Sequence, residues 1–218
     1  MSGIVGSRHN IRGSGLVGSL GTDGQVFTSA GAGAGAVFED AAGGGAWNFI
    51  SSTTTSGAAT FAVTSGIDST YDVYKILVSG TDFDTDDRLH LLQLYVGGSL
   101  VTGSDYRYAT TAGTESSGGN SFGSTGTTSF ALNYDSNDDD VSKPFSMEMT
   151  MYHPSDTDKW TLVNWFAANI SHDSDLIKLS MGAGVLENTG AVTGFKLLNS
   201  GSGDYAGGVI RLYGISKS

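Results

Sequence analysis

The sequence predicts an all-β protein: an antiparallel β-sandwich of jelly-roll type preceded by an extended, glycine-rich N-terminal arm. Three observations predict it. From Ala46 onward, short apolar runs alternate with clusters of Gly, Ser, Thr, Asn and Asp, the pattern of strands joined by turns. Almost no stretch of about ten residues escapes a glycine or a turn cluster, so helices have nowhere to start. The first 45 residues hold 13 of the 33 glycines but few large apolar side chains, too few for a core. The predicted division is therefore 1–45 as arm and 46–218 as sandwich.

In the arm, apolar residues stand singly or in pairs between glycines, and residues 30–36 read AGAGAGA. Such a segment offers too little apolar surface to offset its own ordering entropy, so it is expected to order against a partner. Ile4, Ile11, Leu16 and Leu20 are the expected docking anchors. Arg8 and Arg12 precede the first acidic residue, Asp23, and suit an acidic surface on that partner.

Eleven segments beyond the arm read as strands: 47–50, 60–64, 73–79, 89–95, 106–110, 127–132, 145–152, 160–168, 176–182, 192–198 and 208–215. In 145–152, Phe145, Met147, Met149 and Met151 alternate with Ser146, Glu148, Thr150 and Tyr152, giving one core face and one polar face. Segment 160–168 is apolar on both faces, with Trp160, Leu162, Phe166 and Ala168 on one and Val163, Trp165 and Ala167 on the other. That is a central strand or one facing another subunit, and it predicts a homo-oligomer. Gly207-Gly208, ahead of the last strand, predicts a bend or bulge. About ten short strands fill two packed sheets.

The formal charge is −11, and the pI of about 4.5 opposes the basic footprint of a nucleic-acid binder. Zero cysteines remove disulfides, thiolate metal sites and cysteine nucleophiles together. No run approaches the roughly 18 apolar residues of a membrane span, and the start MSGIVGSRHN lacks a charged-then-apolar leader. Neither membrane insertion nor Sec export is expected, and no cofactor is implied.

Asp82, Asp84 and Asp86 alternate in the loop TDFDTDDRL, an oxygen-rich spacing that can bind calcium. The match lacks a glycine at the sixth position, which is Asp87, and a glutamate at the twelfth, which is Gln93. Turn chemistry explains the same residues, because Asp bonds its own backbone and tolerates left-handed geometry. His9, His90, His153 and His172 stand in unrelated contexts, and no nucleophile or metal motif includes them, so an enzyme is not expected. Tyr106, Tyr108, Tyr134, Tyr152 and Tyr205 are the candidates for a sugar-stacking surface; half-buried strand tyrosines are the alternative.

Residues 71–109, YDVYKILVSGTDFDTDDRLHLLQLYVGGSLVTGSDYRYA, resemble a segment of bacteriophage tail-fibre and other virion appendage proteins. There an Asp-x-Tyr strand, a Thr-Asp turn, a Leu-rich strand, a Gly-Gly hairpin and a Tyr-x-Tyr strand follow one another. The closing GGVIRLYGI resembles the last strand of those domains, and GLVGSLGTDGQVFTSAGAGAGAVFED resembles the connector upstream of them. The resemblance implies a trimeric sandwich on a virion, with the arm binding other virion proteins and the sandwich facing outward. Its expected role is a short tail fibre or appendage contacting a host receptor or surface glycan. The alternatives are a capsid decoration (cement or head-fibre) protein and a carbohydrate-binding or glycan-cleaving module.

Overall fold

A computed structural model of the chain describes residues 25–28, 37–40 and 46–216. The chain divides between Ala46 and Trp47 into two compact units. In the first, β1 (Gln25–Thr28) pairs antiparallel with β2 (Val37–Asp40), setting Phe27 opposite Phe38 with ring centroids 5.1 Å apart. The described part of the arm is thus two short extended strands paired with each other. QVFT and VFED carry the β-branched and aromatic residues that cross-strand pairing favours. The expected docking residues Ile4, Arg8, Ile11, Arg12, Leu16 and Leu20 lie outside the described residues.

The second unit is an all-β antiparallel sandwich. Its strands are β3 (Trp47–Thr54), β4 (Thr60–Val63), β5 (Val73–Phe83), β6 (His90–Val96), β7 (Ser99–Leu100), β8 (Tyr106–Thr114) and β9 (Ser117–Thr127), followed by β10 (Phe130–Ala131), β11 (Phe145–Tyr152), β12 (Thr161–Ile170), β13 (Ile177–Leu186), β14 (Val192–Asn199) and β15 (Tyr205–Ile215). One sheet has eight strands in the order β3-β15-β5-β11-β12-β13-β8-β9. The other has five, β10-β6-β14-β4 with β7 on β6. The pairings β5–β15 and β6–β14 set early strands against late ones, one pair in each sheet.

Period-two alternation builds the core. Tyr74, Ile76 and Val78 of β5, the three methionines of β11, and Val163, Trp165 and Ala167 of β12 turn inward from the large sheet. Leu92 and Leu94 of β6 with Phe195 and Leu197 of β14 meet them from the small one. Each Val, Ile, Leu, Met or Phe of this set stabilises the fold by about 1.5–3 kcal/mol on leaving water. Ladder register shifts at Gly207, and Gly208 takes φ +108°, where a Cβ would lie 2.5 Å from Thr81 Cγ2. Only glycine lets the two backbones meet there.

Candidate functional site

The loops 84–89, 132–144 and 171–176 carry a cluster of aspartates, and β-bridges tie the three together: Asn137 bridges Arg88 on one side and Ser171 on the other. Buried Asn133 fastens the same end, accepting from the His90 N–H at 2.8 Å and donating to the Asp135 carbonyl at 2.7 Å. This frame brings Asp86, Asp138 and His172 together: His172 Nδ1 lies 3.1 Å from Asp86 Oδ1 and 3.7 Å from Asp138 Oδ2. Among the described residues this is the group whose ligand atoms converge as a metal site requires. A lysine already engages it. Lys143 Nζ donates to Asp138 Oδ2 at 2.8 Å and to Asp175 Oδ1 at 2.5 Å, and its ammonium holds the Asp138 carboxyl below its usual range.

The expected Asp82, Asp84 and Asp86 trio does not assemble. Asp82 ends inside strand β5, 2% exposed, with Oδ1 unpartnered, and burial raises its pKa. Asp84 Oδ1 accepts from the Asp204 N–H at 2.8 Å and from Thr85 Oγ1 at 3.0 Å, stitching two loops. Asp86 Oδ1 accepts from the Asp139 N–H at 2.9 Å. These carboxylates act as turn and loop fasteners.

The tyrosines also separate. Tyr106 and Tyr205 are fully buried, which removes both from any glycan surface. Tyr106 bonds the Leu94 N–H and the Val101 carbonyl, and burial pushes its pKa up to about 12. Tyr205 joins Phe61, Phe83 and His90 in an aromatic cluster, where its hydroxyl has no partner and burial raises its pKa well above 10. Tyr108 packs partly against the core, and Tyr152 is half-buried at the end of β11. Tyr134 is 41% exposed, with its ring 5.3 Å from Phe122. Of the five, Tyr134 best keeps a stacking face.

His90 is the buried centre of that cluster. Its ring stacks on Phe145 at 3.8 Å and an 11° interplanar angle, and Nε2 lies 3.1 Å from Thr81 Oγ1. Burial lowers its pKa well below 6.5, so the ring is neutral at pH 7. It is a core packing group.

The feature that single-strand reading only partly found is the outer face of the large sheet. On β12, the inward residues are Val163, Trp165 and Ala167, while Leu162 and Phe166 point to solvent at 45% and 51% exposure. Ile177 and Met181 of β13 extend the same exposed apolar surface, while Trp47 and Phe49 form a separate exposed patch on β3, across β11, β5 and β15 and beyond the Lys75–Glu148 pair. Shallow open grooves run across the β12–β13 surface, one of about 720 Å³ and lined in part by Thr111, Asn164, Met181 and Ala183. The missed signal was in β13, where Ile177, Leu179 and Met181 alternate as regularly as any core strand.

No protein-family profile, curated protein or solved structure matches this chain.

Proposed function

We propose that the protein is a non-enzymatic structural component of a bacteriophage virion, held to the particle by its N-terminal segment with the sandwich facing outward, as a short tail fibre or receptor-contacting appendage. The observation that carries this reading is the stretch 71–109. Its resemblance to virion appendage domains runs without a break through β5, β6, β7 and the start of β8, so the likeness follows one continuous piece of the sandwich. The chemistry of the described residues supports a structural role. His90 is locked in the core, His153 occupies a turn before Pro154, and the Asp86, Asp138 and His172 group is bound to Lys143 and neighbouring loops. Contact with a host glycan would fall first to Tyr134 beside Phe122.

Gold-labelled antibody against the folded chain, applied to intact particles, tests this reading. Label on the tail is expected. Label over the shell would turn the role into capsid decoration, and intact particles without label would overturn the virion assignment. Shortened chains released from host polysaccharide would overturn the non-enzymatic part.

A further inference from the structure

The outer face of the eight-stranded sheet is built like an interface, and we propose that copies of this chain associate through it. Cross-strand pairs on β12 and β13 face outward together: Leu162 with Val185, Phe166 with Met181, and Ile170 with Ile177. An antiparallel sheet with one wet face alternates apolar and polar residues. Here both alternations are apolar, and the core of a single copy uses only one of them. The exposed parts of Leu162, Phe166, Ile177 and Met181 amount to on the order of 400 Å² in one strip, the size of the largest apolar patch on a typical monomer. Half-buried Leu179 and Val185 widen the strip, and with the polar rim around it and the second exposed patch of Trp47 and Phe49 the whole face approaches the roughly 800 Å² per partner that a stable interface buries.

Charge selects a second copy as the occupant. The chain carries −11, so two copies repel in most orientations. Among the outward residues of this sheet the only acid is Glu148, and Lys75 binds it. At the other margin Arg107 pairs with Glu187 at 2.7 Å, and Arg211 adds a further positive charge near Glu148. The apolar β12–β13 strip therefore lies between neutralised pairs, an apolar centre within a polar rim. Where the strip reaches the loop after β10, at Ile170 and Ile177 beside Ser142 and Pro144, Lys143 offsets the loop's charge by pairing with Asp138 and Asp175. Two sheet faces pack by interdigitating their side chains, and identical strips on each copy make a closed symmetric oligomer the natural product. Three copies is the number the virion resemblance implies, but the association itself does not depend on that reading.

Sedimentation velocity of the full chain between 1 and 100 µM tests the proposal. The expected species is a fixed multiple of the 22.5 kDa chain. Phe166→Glu and Met181→Glu should each raise the dissociation constant by at least about tenfold, because they place an unpaired charge in the apolar centre. Both side chains already face solvent in one copy, so circular dichroism of the dissociated variants should match wild type. Ala62→Glu, exposed on β4 of the other sheet and opposite Lys196, should leave assembly unchanged. A 22.5 kDa monomer throughout, or an oligomer indifferent to both face substitutions, would overturn the proposal. Neither result alters where antibody labels the particle, so the two readings fail separately.

Discussion

The buried His90 predicts how the fold responds to acid. Its ring is wholly inside the protein, between Phe145 at 3.8 Å and Phe83 at 4.3 Å, and Nδ1 has no partner to share a proton with. The folded state therefore holds the ring neutral below the pH at which the unfolded chain protonates it. Below pH 6.5 the unfolded state binds the extra proton, so stability is complete above that pH and falls as the pH falls. The slope is about 1.4 kcal/mol per pH unit for as long as the folded ring stays neutral, or about 2 kcal/mol between pH 7.5 and pH 5.0. Buried Asp82 acts in the opposite sense at lower pH, since its raised pKa lets the folded state take up a proton first. Comparison with His90→Leu, similar in volume, cancels that contribution. The assay is urea unfolding followed by tryptophan fluorescence at both pH values. Wild type should lose about 2 kcal/mol more than the variant on going to pH 5.0. Equal losses would refute the claim that His90 is neutral and sealed in the fold.

Gly182→Ala should destabilise by about 1–3 kcal/mol in the same urea assay, because the new Cβ would lie 2.2 Å from Trp165 Cζ2, and Trp165 is anchored by its Nε1–H to the Leu132 carbonyl. Asn133→Ala should cost about 1–3 kcal/mol, since it leaves the buried His90 N–H without an acceptor. Thermal midpoints in millimolar calcium and in chelator should agree, because Asp82 is buried in β5 while Asp84 and Asp86 bond different loops; a rise of several degrees with calcium that disappears in Asp84→Ala would show that they converge after all.

Strands with one clear apolar face were legible from the sequence. The β11 run placed its three methionines inward as alternation requires, and all eleven predicted segments overlap observed strands. The failures have physical causes. β9 (SGGNSFGSTGT) looks like a loop because glycine lacks strand propensity, yet as an edge strand it needs a ladder on one side only. Its glycines suit the close approach of β8: a Cβ on Gly123 would lie 2.7 Å from the Tyr108 carbonyl oxygen. The hairpin of β1 and β2 was hidden for a similar reason, two four-residue strands inside glycine-rich text.

Site features were less legible because they depend on pairing between distant segments. Alternating aspartates on one loop form a local pattern, but Asp82 still belongs to β5, and that strand carries it inward while Asp84 and Asp86 reach other loops. The group that does converge, Asp86, Asp138 and His172, comes from three separate loops and has no spacing signature. The outer face shows the same limit. A strand apolar on both sides does not state which side is core, and β12 alone is ambiguous. The register with β13 decides it: Trp165 lies opposite Gly182, whose missing side chain leaves room for the indole on the inner face. Once Trp165 is inside, period two forces Leu162 and Phe166 outward beside Val185 and Met181. The exposed apolar strip is thus a consequence of where one glycine lets one tryptophan pack.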